Sequence, residues 1–123
     1  MTTEERLKKL ERKIEEMKNV IRTKALCVLD DEGKERIKLV MTEDGPRLTI
    51  IDENGKHRAG MSVYKNGPRM SMADENGNIR AYLSVDEDGP QLLMIDENGE
   101  VRTWMAVDKD GAYYPAEKVH PKK

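Results

Sequence analysis

The sequence predicts a mainly β protein in which an N-terminal coiled-coil helix precedes four β-hairpin repeats that form a trimeric β-prism or β-shaft. Three observations predict it. Residues 1–24 carry apolar side chains at heptad spacing, residues 25–112 divide into four blocks of 22 residues without insertions, and apolar residues alternate inside each block. Residues 113–123 depart from the repeat and are expected to form a C-terminal cap or a flexible tail.

The first segment has the pattern of a coiled coil. Its apolar side chains recur at alternating spacings of three and four residues, which places them on one narrow stripe of a helix, and Thr2 with Glu5 predicts a capping box at its start. The segment RLKKLE resembles the Arg-h-x-x-h-Glu signature of trimeric coiled coils, in which Arg at position g meets Glu at position e of the next helix. Leucine at both a and d leaves two and four strands open beside the favoured three. The predicted helical interface consists of Arg6, Leu7, Leu10, Glu11, Ile14, Met17 and Ile21.

The second segment repeats one pattern four times. In every block the sixth residue is Asp, the ninth and twenty-first are Gly, and the twelfth is Arg. Asp-Glu-Asn-Gly predicts a tight hairpin turn in which Gly takes a positive φ, so each block forms two strands and the four blocks form eight. The Asp and Arg flank this hairpin and are predicted to pair across it as a structural latch. These pairs are Asp30 with Arg36, Asp52 with Arg58, Asp74 with Arg80 and Asp96 with Arg102.

The alternation inside each block predicts strands with one apolar face. A single chain leaves this face uncovered, so three chains started in register by the helix are expected to close it around a threefold axis. Methionine suits such a narrow core because its unbranched side chain fills irregular gaps. The predicted interface in the repeats consists of Leu48, Ile50, Met61, Met70, Met72, Leu83, Met94 and Met105.

Composition excludes several classes of function. Lys and Arg number 22 against 24 Asp and Glu, a net charge of −2, which lacks the basic excess of a nucleic-acid-binding protein. No apolar run has the length of a membrane span, and no signal peptide is recognisable, so a soluble protein is expected, cytoplasmic or virion-associated, with the compartment undetermined. The single Cys27 excludes an intrachain disulfide framework and, between Leu26 and Val28, is predicted to be a small buried hydrophobe.

No catalytic or metal-binding set is predicted, and no cofactor is expected. The Asp-rich turns lack the ligand spacing of an EF-hand, Cys27 has no adjacent His, and His57 and His120 are expected to be solvent-exposed. Tyr82 and Trp104 share the fourteenth repeat position, where they are expected either to form an exposed aromatic ladder or to pack against each other or against a neighbouring chain. The possible ligand-binding residues are therefore Tyr82, Trp104, Tyr113 and Tyr114, for a carbohydrate or protein ligand.

The D-x-x-G-K-x-R and D-G-P units resemble the tandem 22-residue β-repeats of a group of bacterial proteins. A coiled coil followed by stacked β-repeats also resembles the trimeric shafts of phage tail fibres and bacterial adhesins. These resemblances imply a non-enzymatic structural protein, an elongated homotrimeric shaft or spacer of fibre type. The alternative is a carbohydrate- or protein-binding module that uses the aromatic residues of the last repeats. No catalytic residue carries over from either resemblance.

Overall fold

The computed structural model describes residues 1–116, and the side chains of residues 1–112. Within residues 1–116, one helix precedes nine antiparallel strands that pair in the order of the sequence, so the sheet is a continuous meander. The predicted mainly β architecture with a hairpin order is confirmed, and a ninth strand follows the eight strands of the repeats. The elements are α1 (Thr3–Met17), β1 (Ala25–Leu29), β2 (Glu35–Thr42), β3 (Gly45–Ile51), β4 (His57–Tyr64), β5 (Gly67–Ala73), β6 (Ile79–Asp86), β7 (Gly89–Ile95), β8 (Val101–Val107) and β9 (Tyr113–Ala116).

Helix α1 begins at the predicted capping box. The Glu5 amide donates to Oγ1 of Thr2 at 3.1 Å, and the Thr2 amide donates to Oε2 of Glu5 at 3.3 Å. The helix ends at Met17, earlier than the heptad stripe predicts, and Ile21 therefore lies outside it. The β-branched residues Val20, Ile21 and Thr23 follow in quick succession, and such residues lose side-chain freedom in a helix, which favours an early end. No strand of the described chain packs against α1.

The turn inside each repeat has the predicted geometry. In the second repeat, the Gly55 amide donates to the carbonyl oxygen of Asp52 at 3.1 Å, and the Asp52 amide donates to the carbonyl oxygen of Lys56 at 2.9 Å. Gly55 has a φ of 82°, the left-handed conformation that glycine adopts without strain. Oδ1 of Asp52 accepts the amides of Asn54 and Lys56, both at 2.9 Å. Asp52 is the first residue of the turn, and its side chain stabilises that turn by accepting two of its amides.

The connection between repeats depends on glycine for a second reason. Gly67 has a φ of 134° where it begins β5, and a Cβ atom placed on it would overlap the carbonyl oxygen of Val85 in β6. Gly45 and Gly89 lie in the same way against Val63 and Val107. The backbone of each incoming strand therefore approaches the neighbouring strand more closely than a side chain allows.

The last repeat ends in a different turn. Its closing residue is Ala112, where the three earlier repeats have Pro46, Pro68 and Pro90. The Ala112 amide donates to Oδ1 of Asp108 at 3.0 Å, a bond that proline has no N–H to make. This turn repeats the geometry found inside each repeat and leads into β9, where the sequence predicts a cap or a tail.

The strand register gives the sheet two unlike faces. We call one the apolar face and the other, which carries the twelfth-position arginines, the polar face. Among the side chains described, Ile51 is the only buried hydrophobic residue, at 8% exposure. The described part of a single chain therefore has almost no buried apolar core. The large residues of the apolar face are Leu26, Val28, Ile37, Leu39, Met41, Leu48, Ile50, Met61, Val63, Met70, Met72, Leu83, Val85, Leu92, Met94, Met105 and Val107.

Candidate functional site

The apolar face brings together every residue that the sequence predicts for the interface of the repeats. One cross-strand row runs through Leu48, Met61, Met70, Leu83, Leu92 and Met105, and a second includes Ile50, Met72 and Met94. Six of the eight predicted residues are between 41 and 56% exposed, while Leu48 and Met105 are half-buried. Monomeric proteins rarely leave so extensive an apolar surface uncovered.

The heptad stripe is also uncovered in the single chain. The four stripe residues within α1, from Leu7 to Met17, are between 53 and 68% exposed, and Arg6 and Glu11 are exposed beside them. Ile21 is exposed as well, in the segment that joins α1 to β1. The chain therefore presents two separate apolar surfaces, and neither covers the other.

The predicted Asp–Arg pairs form across all four hairpins, at 3.4 to 3.5 Å between Nη1 and Oδ2. The arginines of the first three repeats also reach the following repeat. Nε of Arg58 donates to the carbonyl oxygen of Ala73 at 3.0 Å, and Arg36 and Arg80 make the same bond to Ile51 and Ile95. The latch therefore joins neighbouring repeats as well as closing each hairpin, a link that the sequence analysis missed.

The four latch carboxylates share one electrostatic environment. A backbone amide donates to each of them four residues along the chain, and this bond is the main cause that lowers the pKa of Asp30, Asp52, Asp74 and Asp96 below the usual 3.8. A second amide bond adds to the effect, and desolvation opposes it. The nearby arginines lower the pKa further. In Asp52, for example, the carboxylate oxygens accept hydrogen bonds from the turn amides and lie next to Arg58, so their role is to hold the turn.

Tyr82 and Trp104 lie on the polar face, opposite Leu83 and Met105, but do not form an exposed ladder. Leu93 lies between them in the cross-strand row, and both rings are half-buried. Nε1 of Trp104 donates to Oε1 of Gln91 at 3.3 Å. The side chains of Tyr113 and Tyr114 lie outside the described part of the structure.

A groove on the polar face, which we call the polar-face groove, contains Tyr82 and residues that the sequence analysis did not select. Nη2 of Arg47 donates to the hydroxyl oxygen of Tyr64 at 3.0 Å, and the guanidinium carbon of Arg69 lies 4.7 Å from the centre of the same ring. Hydrogen bonds with Ser62 and Arg47 lower the pKa of Tyr64 below 10.0. One feature of the sequence points to this groove. The second repeat has Gly60 and Tyr64 at positions where the other three repeats hold different residues.

The remaining sequence predictions have mixed outcomes. Cys27 is exposed, so its predicted burial is wrong, because β1 is an edge strand of the sheet and Cys27 faces away from its apolar side. His57 is exposed as predicted, and His120 lies outside the described residues. Among the described residues, no group of three or more metal-ligating side chains converges. No helix in this part of the chain has the length and apolar character needed to span a membrane.

No protein-family model matches the chain, and a search of curated proteins finds no match.

Proposed function

We propose that the protein is a non-enzymatic structural protein, an elongated homotrimeric shaft or spacer. The observation that carries the proposal is the coexistence of an uncovered apolar sheet face and an uncovered heptad stripe in one chain whose only buried hydrophobic residue, among the side chains described, is Ile51. Burial of apolar surface is the main stabilising contribution in folding and association. Association with identical chains supplies that burial on both surfaces.

The heptad signature of the helix favours three copies over two. The Arg6 and Glu11 positions match the trimeric heptad signature, and a parallel trimer would start all three sheets at the same height. Each apolar face would then turn toward a common axis, with the methionines filling the space around it. The polar faces would remain outside.

The meander order favours an elongated particle. Because strands pair in sequence order, each repeat adds two strands to the sheet, or about 10 Å of length. The arginine bonds between repeats resist relative movement of neighbouring hairpins, since each ties a side chain of one repeat to the backbone of the next. Such a device suits a spacer that must hold its shape.

The proposal is tested by charge substitutions in each uncovered surface. Ile14→Glu in the heptad stripe and Leu83→Glu in the apolar face are expected to dissociate the trimer, measured as mass by multi-angle light scattering. Arg12→Glu on the outer surface of α1 and Lys65→Glu in an exposed turn are the matched controls and should retain the parent mass. If either apolar variant fails to fold, the thermal midpoint of the parent protein decides, because it must rise with protein concentration for a trimer. Unchanged mass in both apolar variants would contradict the proposal.

A second candidate function is binding of a carbohydrate or a protein by the polar face. It is favoured by the position of Tyr82 in the polar-face groove, while the hydrogen bond of Trp104 to Gln91 gives that ring a role within the sheet. A glycan and peptide binding screen compares the parent protein with Tyr82→Ala and Trp104→Ala. Loss of a hit in Tyr82→Ala alone is expected, and a screen without any hit contradicts this function.

A further inference from the structure

The polar-face groove has a floor of small side chains. Thr49, Gly60 and Ser71 are cross-strand neighbours on β3, β4 and β5, and larger side chains rise around them. The resulting groove has a volume of about 330 Å³, within the range of small-molecule sites. Gly60 leaves this floor open, because the same repeat position holds a lysine, a tyrosine or a tryptophan in the other repeats.

The lining of this groove has an unusual charge. Among the described residues, it contains three arginines, Arg47, Arg58 and Arg69, together with His57, and no carboxylate, although the whole chain has a net charge of −2. Arg58 is paired with Asp52. Arg47 and Arg69 make no ion pair with any carboxylate in the described residues. Two guanidinium groups of one concave site therefore have no paired carboxylate within the described part of the chain.

These two guanidinium groups are held in place. Arg69 lies over the ring of Tyr64 at 4.7 Å and within 6.0 Å of the ring centre of Tyr82, and Arg47 donates to the Tyr64 hydroxyl. An arginine stacked on an aromatic ring retains its N–H groups for other acceptors, and a fixed guanidinium loses less freedom when it binds an anion. The hydroxyls of Thr49 and Ser71 form no side-chain hydrogen bond with other described residues and add polar groups beside the guanidiniums.

We propose that the polar-face groove binds an acidic saccharide unit. Its carboxylate or sulfate group would bind Arg47 and Arg69, its hydroxyls would meet Thr49 and Ser71, and one face of the sugar ring would pack on Tyr82. Paired, planar donors suit carboxylate and sulfate geometry, and an aromatic ring suits the apolar face of a sugar. A polynucleotide is a poorer match, because the first and last repeats have Ala25 and Gln91 at the position of Arg47, so the basic charge is confined to one site.

This proposal rests on the second candidate function, binding by the polar face, and names its ligand class. The groove lies on the face opposite the apolar face, so the proposal does not depend on trimer formation. Titration calorimetry of the full chain uses three probes: trigalacturonate for carboxylates, a heparin-derived tetrasaccharide for sulfates, and neutral maltotriose. Binding of at least one acidic probe at millimolar concentration or below is expected, with no binding of maltotriose. Arg47→Gln and Arg69→Gln should each weaken binding about tenfold or more. Lys109→Gln, which removes a positive charge outside the groove, is the matched control and should bind as the parent protein does.

Several results would overturn the proposal. They are absence of binding by both acidic probes, equal binding of maltotriose, or unchanged affinity in both arginine variants. Equal competition by a single-stranded oligonucleotide or by inorganic phosphate would also overturn it, since it would identify a general anion surface. Circular dichroism and light scattering on each variant separate a loss of binding from a loss of folding or assembly. A failed binding test with an intact trimer leaves the shaft proposal unaffected.

Discussion

Nε of Arg58 lies 3.0 Å from the carbonyl oxygen of Ala73, a residue of the following repeat, while Nη1 of the same arginine lies 3.4 Å from Oδ2 of Asp52 in its own repeat. One side chain therefore connects the turn of one hairpin to the backbone of the next. Lysine cannot reproduce both contacts, because its ammonium is a single point of donation rather than a planar fork. The arginine at this position is a structural link between repeats.

Arg58→Lys is expected to lower the free energy of unfolding by about 1 kcal/mol, because the hydrogen bond to Ala73 is lost while the positive charge is kept. Denaturant titration measures the change. Lys65→Gln, in an exposed turn with no ion pair among the described residues, is the matched control and should stay within about 0.5 kcal/mol of the parent. Equal stability of Arg58→Lys and the parent would show that the link has no energetic role.

The two classes of turn glycine should respond differently to substitution. Gly67→Ala forces a side chain into a positive φ and against the carbonyl oxygen of Val85, so a loss of about 3 kcal/mol or more is expected. Gly55→Asn is the comparison, because Gly55 has a φ of 82° and open space around its Cβ position. Asparagine tolerates this conformation, so a loss of about 1 kcal/mol or less is expected. The losses refer to the free energy of unfolding and are measured by thermal unfolding of both variants. Equal losses in the two variants would contradict this distinction.

The latch aspartates predict a specific pH dependence. Their pKa values are lower in the folded chain than the usual 3.8, mainly because backbone amides donate to the carboxylates. The unfolded chain therefore binds more protons as the pH falls, and the stabilisation is present above 3.8 and lost as the pH falls through the lower folded values. Thermal midpoints should be nearly constant from neutral pH to about pH 4 and then fall.

Asp52→Asn tests the source of that dependence. Asparagine keeps an oxygen for the turn amides but has no carboxylate to titrate or to pair with Arg58. We expect a lower thermal midpoint than the parent at pH 7 and a smaller decrease below pH 4. An acid transition identical to that of the parent would show that Asp52 does not contribute.

The turn that ends the last repeat depends on the Ala112 amide. Ala112→Pro removes the hydrogen bond to Oδ1 of Asp108, so the hairpin that leads into β9 should loosen. Hydrogen exchange should become faster in β9 and in the facing residues of β8, with no change in β3 and β4. Unchanged exchange in β9 would contradict the role assigned to this bond.

Most of the fold could be predicted from local rules. The Asp-x-x-Gly turns, the strand alternation and the Thr2–Glu5 capping box each depend on residues close together in sequence, and all are present in the structure. The early end of α1 was not predicted, because the heptad pattern continues through Ile21 while β-branched residues oppose the helix. Strand β9 was not predicted, because the sequence pattern ends at residue 112 and the turn that leads into β9 depends on the hydrogen bond from the Ala112 amide to Asp108.

The sites were harder to predict. The apolar interface residues share a face because strand periodicity fixes which side chains point together, so sequence alternation was sufficient. The bond from Arg58 to Ala73 joins residues fifteen positions apart, and no local pattern reports it. The polar-face groove likewise depends on strand pairing that brings Arg47 and Arg69 to the same ring of Tyr64.

Sedimentation equilibrium of the unmodified protein tests the central proposal most directly. A trimer of 14.1 kDa chains gives a mass of about 42 kDa, and this mass should persist on dilution through the micromolar range. A folded particle of 14.1 kDa would contradict the account, because it would mean that a single chain is stable with its apolar face and heptad stripe exposed to water.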